Sequence, residues 1–279
     1  MAKVAKFIIS QVQAQKYIYF KNRPVGNWRD SPGAYREVRS MVAAFDVNAV
    51  FYPQALELIR KHASLLHIEE NIMELEMLWR ERYRDFVFEE TKGRQAMALC
   101  LYGEDHQPLR VAHLDEGYYF FYRNGDVEQT VAFAERLLDY ECLRTDSGPL
   151  LVAKNAGYAP TQYHGEVIWP KQSAIAIGGL RKHYLRAKKE GWPTEAREKI
   201  VEALLVTCRA SLRAFVELYG IPELYIDVEG HAKAYDSQRV RDGQVSYIQL
   251  WSAVGFRRML RDLLFVSLEE EIPLRFLSE

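Results

Sequence analysis

Apolar residues recur along most of the chain at the spacing of an amphipathic helix. The first series begins with Val4, Ile8 and Val12, and similar patterns follow through to residue 266. They predict helices over about 5–19, 52–66, 69–84, 116–122, 127–140, 170–190, 193–219 and 247–266. Two runs, AMALCLYG and LRVAHLD, instead alternate or cluster apolar residues around GEDHQP, which predicts a small β hairpin or a pair of extended segments.

Long segments rich in aromatic and polar residues separate several of these helices. Prolines and glycines interrupt residues 20–48 and 141–169 too often for regular structure. Loops of this length inside compact domains are usually functional, and disordered linkers lack their aromatic residues. We therefore predict one all-α domain over residues 1–279 whose functional residues lie in loops.

Composition and charge narrow the class of protein. Of 279 residues, 48% are hydrophobic and 27% charged, which is typical of a folded globular protein. Because 37 basic and 38 acidic residues leave a net charge of -1, we expect neither a nucleic-acid nor a membrane partner. The three cysteines lack zinc-site spacing, and the N-terminus lacks a signal peptide or membrane span, so we expect no metal, no cofactor and a cytoplasmic location.

Aromatic residues are frequent, with 17 Tyr, 13 Phe and 5 Trp, and several lie in loops beside acidic residues, as in sugar-binding surfaces. In GNWRDS, Asp30 lies beside Trp28 and Arg29, a setting in which the pKa of a general acid can be tuned. An ion pair with Arg29 or a turn cap would explain Asp30 more simply. Asp46 and Asn48, in the following FDVNAV, could likewise be helix caps.

A second cluster combines the segments HLDEG and YHGEVIWP. Tyr163, His164 and Trp169 could supply an aromatic platform and ring-nitrogen donors for a sugar. Packing at a helix start is the simpler explanation of Trp169, and an acidic first helical turn is the simpler explanation of Asp115 and Glu116.

A third cluster, IPELYIDVEGHAKAYDSQ, offers Glu223, Asp227 and Glu229 as a second carboxylate. One acidic and one basic carboxyl group from distant loops are the minimal apparatus of glycoside hydrolysis. Solvation at the surface would explain each acid singly. The motifs GxGxxG, GxxxxGK, HExxH and GxSxG are absent, and Gly178 and Gly179 predict tight helix packing instead of a cofactor turn.

Taken in order, five groups of residues resemble the helical-barrel glycosidases, the six-hairpin or (α/α)6 superfamily of glucoamylases, trehalases and glycogen debranching enzymes. They are GNWRDS, FDVNAVFYPQAL, AHLDEG, YHGEVIWPKQSAIAIGGLRKH, and PELY with YIQLWSAVGF, and they are most similar to a bacterial debranching or amylo-1,6-glucosidase-like branch. The resemblance implies an (α/α)6 toroid with a loop-built site at one rim. Such a barrel has twelve helices and we predict about eight. We therefore expect an incomplete barrel with a β hairpin insertion, whose exposed faces a second copy or a missing N-terminal segment would cover.

The resemblance also implies roles for single residues. Relatives carry the acid in a Trp-x-Asp segment, here ending at Asp30, and the base in a Glu-Leu segment ahead of a Trp-Ser-Ala helix start, here Glu223. Such enzymes typically invert, so Asp30 would protonate the glycosidic oxygen while Glu223 activates a water on the opposite face. Within YHGEVIWP the branch more often has a small residue at the position of Glu166. Glu166 could therefore be a rival base or a sign of altered specificity. The implied substrate-binding residues are Trp28, Arg29, Asp46, Asn48, Asp115, Glu116, Tyr163, His164, Glu166, Trp169, Gln249 and Trp251.

The sequence thus predicts a hydrolase of α-glucosidic bonds in an oligosaccharide or glycogen-like substrate. Two alternatives stay open. The chain could be a non-catalytic carbohydrate-binding protein or a truncated remnant of the same fold. It could also be a sugar epimerase or isomerase, which would use His113 and His164 as its acid and base.

Overall fold

A computed structural model describes residues 1–18, 28–29, 43–90, 93–160, 162–235 and 248–272. The chain divides into two compact units. The first comprises Met1–Asp30, Tyr35–Phe88 and Met97–Arg110, and the second comprises Ser31–Ala34, Glu89–Ala96 and Val111–Glu279. Asp30 lies outside the described residues, as does most of the first predicted loop.

The first unit consists of four α-helices and short strands within the described residues. In chain order these are α1 (Ala2–Ala14), β1 (Ala43–Phe45), α2 (Asp46–Lys61), α3 (Ala63–Leu66), α4 (Ile72–Glu81) and a 3-10 helix (Arg82–Phe86). Two strands, β2 (Val87–Glu89) and β3 (Gln95–Met97), contain the points where the chain leaves and re-enters this unit, and β4 (Cys100–Tyr102) and β5 (Gln107–Pro108) complete it. β4 is the central strand of an antiparallel sheet, paired with β1 on one side and β5 on the other.

Helices α1, α2 and α4 share one apolar core because each has apolar residues along one face. Ile9, Leu56 and Trp79 are buried at its centre. The indole Nε1 of Trp79 donates a hydrogen bond to the carbonyl oxygen of Val12 at 3.2 Å, so the polar atom of this large side chain is satisfied. A hairpin is present as β4 and β5, but β5 lies at the end of GEDHQP and not in the second apolar run LRVAHLD, where the prediction placed it.

The second unit contains the longest helices. Its elements are α5 (Glu116–Tyr122), α6 (Val127–Leu138), β6 (Arg144–Thr145), β7 (Gly148–Pro149), α7 (Pro170–Glu190), α8 (Thr194–Glu217), β8 (Tyr225–Val228), β9 (His231–Ala234) and α9 (Leu250–Glu269). β6 pairs with β7 and β8 with β9, both antiparallel. Helix α7 packs against α5, α8 and α9, and α6 packs against α8. The predicted helix-dominated, all-α class is therefore confirmed.

Glycines allow α5 and α7 to approach closely. A Cβ atom on Gly117 would lie 2.9 Å from the Cα atom of Ala176, and one on Gly179 would lie 2.9 Å from the Cβ atom of Phe120. At Gly178 a Cβ atom would meet the ring of Phe121 at 2.8 Å. These contacts are shorter than packed carbon atoms tolerate, so the predicted role of IAIGGLRKH in tight helix packing is confirmed.

The helix boundaries follow local sequence signals. Asp126 caps α6 by accepting a hydrogen bond from the backbone N–H of Gln129, whose side chain accepts one from Asp126 in return. The helices predicted over 170–190 and 193–219 both begin at a proline, which would place each proline in a first turn, and Pro170 does lie in the first turn of α7. The same prediction is wrong for Pro193, which lies one residue before α8 begins. Gly191 ends α7 with a φ angle of 68°, a left-handed conformation that suits glycine.

Strands β6 to β9 were not predicted, because each has only two to four residues and lies within a loop-rich segment. Glu229 and Gly230 form the turn between β8 and β9, with φ angles of 55° and 83°. Across the described part of the chain, no helix combines the length and the apolar character that crossing a membrane requires.

His183 is a buried polar residue in the middle of α7. Its Nε2 atom accepts a hydrogen bond from the backbone N–H of Gly125 at 3.0 Å, and its Nδ1 atom lies 2.9 Å from the carbonyl oxygen of Gly179. The neutral tautomer with hydrogen on Nδ1 satisfies both contacts. Burial, together with the charges of Lys182 and Arg186, lowers the pKa of His183 to about 4, although the hydrogen bond with Gly179 opposes the shift.

We expect this histidine to make folding stability depend on pH. Between about pH 6.5 and about pH 4 the unfolded chain binds the proton and the folded chain does not, so acid favours unfolding. The contribution of His183 to the free energy of unfolding is complete above pH 6.5, and it falls by about 3 kcal/mol as the pH approaches 4. Urea unfolding at pH 7.5, 6 and 5 measures it. His183→Gln should remove this part of the pH slope, whereas substitution of the exposed His62 should keep it; equal slopes in both variants would contradict the assignment.

Candidate active site

Short backbone pairings bring three loop segments of the second unit together. The backbone N–H of Leu114 bonds to the carbonyl of Leu151 at 2.9 Å, and the N–H of Leu151 bonds to the carbonyl of Val167 at 2.8 Å. Ile168 and Tyr225 exchange two hydrogen bonds of 2.8 and 3.0 Å. These bonds connect HLDEG to YHGEVIWP through the chain around Leu151, and connect YHGEVIWP directly to the chain that follows Glu223. We call this group of paired segments the backbone ladder.

Glu223 lies two residues before β8, at the end of the backbone ladder. Its side chain is buried, and its Oε1 atom accepts a hydrogen bond of 2.9 Å from the hydroxyl of Tyr163. The structure therefore joins the predicted base to a residue of the predicted aromatic platform, 60 positions earlier in the chain. One carboxylate oxygen of Glu223 is fixed by this contact.

Three rings pack together beside Glu223. His164 stacks on Trp169 with an interplanar angle of 6° and a centroid separation of 5.5 Å. Tyr163 meets both rings edge-on, at 4.8 Å from His164 and 5.1 Å from Trp169. The indole Nε1 of Trp169 also donates to the carbonyl of Tyr163 at 3.2 Å. His164 and Trp169 are buried and Tyr163 is half-buried, so Tyr163 is the member of this trio that offers most surface to a ligand.

A buried polar cluster surrounds Asp115 at the start of α5. The side-chain amide of Gln172 donates to Asp115 Oδ1 at 3.2 Å and to the hydroxyl of Tyr118 at 3.1 Å. A ring nitrogen of His113 lies within 4.8 Å of a carboxylate oxygen of Asp115. Burial lowers the pKa of Lys171, while the nearby Asp115 opposes that shift. Asp115 is thus a buried carboxylate with several polar neighbours.

Glu116, the neighbour of Asp115 in sequence, has a different environment. Its carboxylate forms an ion pair with the guanidinium of Arg136, and both side chains are almost completely buried. Arg136 also donates to the backbone carbonyl of Gln95. The acidic helix start proposed as the simpler explanation of Glu116 is therefore present, and the side chain is held by Arg136.

The other candidates of the second unit lie at its loop ends. Glu166 is partly exposed, and burial raises its pKa, while a backbone hydrogen bond from Asn155 and the charge of Lys154 lower it. The backbone N–H of Gln249 bonds to the carbonyl of Ile221 at 3.1 Å. This bond attaches the start of α9 to a residue two positions before Glu223 in the sequence. Trp251 follows in the first turn of α9 and is 45% exposed.

The remaining candidates belong to the first unit. Arg29 is fully buried, with its guanidinium carbon 5.3 Å from the ring centre of Trp28. Asp46 is the first residue of α2, where a negative charge suits the helix dipole. The capping interpretation of Asn48 is wrong, because this residue lies inside α2 and its Nδ2 atom donates to the carbonyl of Ile18 at 3.0 Å.

Comparison with known proteins found similar folds among solved structures, but no match by sequence. Neither a protein-family model nor a curated protein matches the sequence. Among solved structures, a chain named "Sialidase" superposes with a TM-score of 0.53 at 13% identity, over 86% of this chain and 23% of that one. Neutral trehalase Nth1 from Saccharomyces cerevisiae gives a TM-score of 0.52 at 13% identity, over 87% of this chain and 42% of the trehalase. The fold is helix-dominated. It resembles the (α/α)6 fold of the trehalase.

This chain spans less than half the length of either neighbour. At 13% identity the likeness concerns the fold alone, so both the glycosidase activity and the debranching-type branch stay predictions. Sequence reasoning had missed the polar neighbours of Asp115, namely Lys171, Gln172 and Tyr118. A usable signal was present for Gln172, because a polar residue on the buried face of a helix needs a partner.

Proposed function

We propose that this protein is an inverting glycoside hydrolase that cleaves α-glucosidic bonds of an oligosaccharide or glycogen-like substrate, with Glu223 as the base and Asp30 as the acid. The observation that carries the proposal is the hydrogen bond from Tyr163 to the buried Glu223, beside packed aromatic rings. The glycosidase-like fold supports the same reaction class. The near-zero net charge suits a neutral sugar, which needs no long-range steering.

The proposed reaction uses the two carboxyl groups in complementary protonation states. Glu223 takes a proton from water, and the water oxygen forms a bond to the anomeric carbon. Asp30 gives its proton to the glycosidic oxygen on the other side of that carbon as the bond to the leaving sugar breaks. Tyr163 donates a hydrogen bond to Oε1 of Glu223 and so orients the carboxylate that would take the proton. The released sugar then has the opposite anomeric configuration.

Hydrolysis of maltose, trehalose and isomaltose, followed by proton NMR, tests this function. With maltose and isomaltose, we expect the glucose unit whose anomeric carbon is attacked to be released as the β anomer. With trehalose, the leaving glucose keeps its α configuration, so equal amounts of the two anomers should appear at first. Asp30→Asn should abolish release from all three sugars. Asp105→Asn, which removes the charge of an exposed loop acid, is the matched control and should keep full activity. Hydrolysis that survives Asp30→Asn, or release of the attacked glucose unit of maltose or isomaltose as the α anomer, would contradict the mechanism.

The same samples separate the alternatives. Binding of these sugars without hydrolysis would favour a carbohydrate-binding protein. An epimer in place of released glucose would favour the reaction that requires His113 and His164.

Tyr163→Phe is expected to lower kcat about 10-fold to 100-fold and to change KM little. The substitution removes the hydroxyl that fixes Glu223 but keeps the ring that packs on Trp169. Tyr140 is a suitable control, because its hydroxyl also donates to a carboxylate, that of the exposed Asp146. Steady-state kinetics should therefore show a lower kcat for Tyr163→Phe than for Tyr140→Phe. Equal kcat values in the two variants would show that the contact with Glu223 is not used in the reaction.

A further inference from the structure

Helices α7 and α9 enclose an open groove of about 780 Å³ on the second unit. One side of it is formed by apolar residues of α9 that are unusually exposed for their size. Leu250 is 79% exposed and Val254 is 61% exposed. Contiguous apolar surface of this kind on a folded protein usually marks a site of protein interaction.

The groove is also strongly basic. Its lining includes Lys171, Arg257, Arg258 and Arg261, and none of its described lining residues is acidic. The buried Asp262 lies beneath and pairs with Arg258 and Arg261. One carboxylate against four cations leaves an excess of positive charge around an apolar floor. An occupant of this groove should therefore be apolar and acidic.

Helix α4 in the first unit has the complementary character. Met73, Met77 and Leu78 are between 47% and 57% exposed and follow the spacing of one helix face. Glu70 precedes this face and Glu74 lies on it, and both are exposed. We call this surface, which consists of these five residues, the acidic face.

We propose that the acidic face of one copy of this chain docks into the α7/α9 groove of a second copy. An amphipathic helix in an apolar groove is a common recognition mode, and the opposite charges would steer and orient the encounter. Methionine, tryptophan and arginine, which these surfaces contain, are enriched in protein interfaces. Because the two surfaces differ, the contact is heterologous, and it produces rings or open chains of copies.

Sedimentation velocity of the full chain over a range of protein concentrations tests this contact. We expect association that increases with concentration and weakens in high salt, because the contact is partly electrostatic. A groove variant, Arg257→Glu with Arg261→Glu, and a face variant, Glu70→Arg with Glu74→Arg, should each lose self-association about 100-fold or more. Lys3→Glu with Lys189→Glu makes the same charge change as the groove variant at other exposed positions and should associate like the wild type.

Mixing the two variants gives the decisive result. The groove variant keeps the acidic face and the face variant keeps the basic groove, so a 1:1 mixture should associate again. A wild-type chain that stays monomeric at the highest concentration would overturn the proposal. A groove variant that fails to associate while the face variant still does would also overturn it, because the occupant would then be another segment or another protein. Circular dichroism of each variant checks that the helices remain folded.

Discussion

Glu223→Gln is expected to lower kcat for glycoside hydrolysis by about 1,000-fold while substrate binding changes little. The amide keeps the size of the side chain and can still contact Tyr163, but it cannot take a proton from water. General-base catalysis typically contributes 10²- to 10⁴-fold to a rate, so a loss of this size is what removal of the base predicts. Steady-state kinetics together with calorimetric binding of maltose measure both quantities.

Rescue by an external nucleophile tests whether Glu223 acts as the base. Azide needs no deprotonation, so it should restore turnover in Glu223→Ala, where the shortened side chain leaves room for it. The product should be a glycosyl azide of inverted configuration, formed as the sugar bond breaks and Asp30 protonates the leaving oxygen. Glu166→Ala is the control for the rival base. If Glu166→Ala loses activity and responds to azide while Glu223→Ala does not, Glu166 is the base.

Arg136→Met is expected to lower the free energy of unfolding by about 4 kcal/mol. The substitution leaves the carboxylate of Glu116 buried without its cation, and removal of one partner from a buried ion pair typically costs about 3–5 kcal/mol. Urea unfolding at neutral pH measures the loss. It should be among the largest single-residue effects on stability in the second unit.

The double variant Glu116→Gln with Arg136→Met separates the unpaired charge from lost packing. It should recover a large part of the lost stability, because no buried charge then remains. Arg84→Met provides the exposed counterpart, since Arg84 pairs with Glu81 at 2.7 Å on the surface, and it should cost less than about 1 kcal/mol. If the double variant is no more stable than Arg136→Met, the lost free energy of unfolding comes from packing and not from the unpaired charge.

The helices could be predicted because their signals are local. The predicted 170–190 helix matches α7, and the predicted 116–122 helix matches α5. α9 begins three residues later than predicted and α2 begins six residues earlier, at Asp46. Helix ends depend on tertiary contacts as well as on sequence, as the bond from Gln249 to Ile221 at the start of α9 illustrates.

The candidate site was predictable in its residue types and only partly in its arrangement. Aromatic residues in the loops indicated Tyr163, and the resemblance to helical-barrel glycosidases singled out Glu223 among three candidate acids; the structure joins the two residues. The sequence alone could not show that Asp115 and Glu116 have different surroundings. In the structure Asp115 contacts Gln172, whereas Glu116 pairs with Arg136. Such partners lie 20 to 57 positions away, a separation at which a single sequence carries no pairing signal.

The backbone ladder has a consequence for how activity is gained during folding. Its rungs join Leu114, Leu151, Val167 and the pair Ile168 and Tyr225, so the bonds close chain loops of up to 57 residues. Contacts between such distant positions form late, because the entropy of closing each loop must first be overcome. No fragment shorter than the span from Leu114 to Tyr225 contains every rung. Recovery of hydrolysis after dilution from denaturant should therefore follow the slowest folding phase of the second unit, and an activity assay would report on its completed tertiary structure.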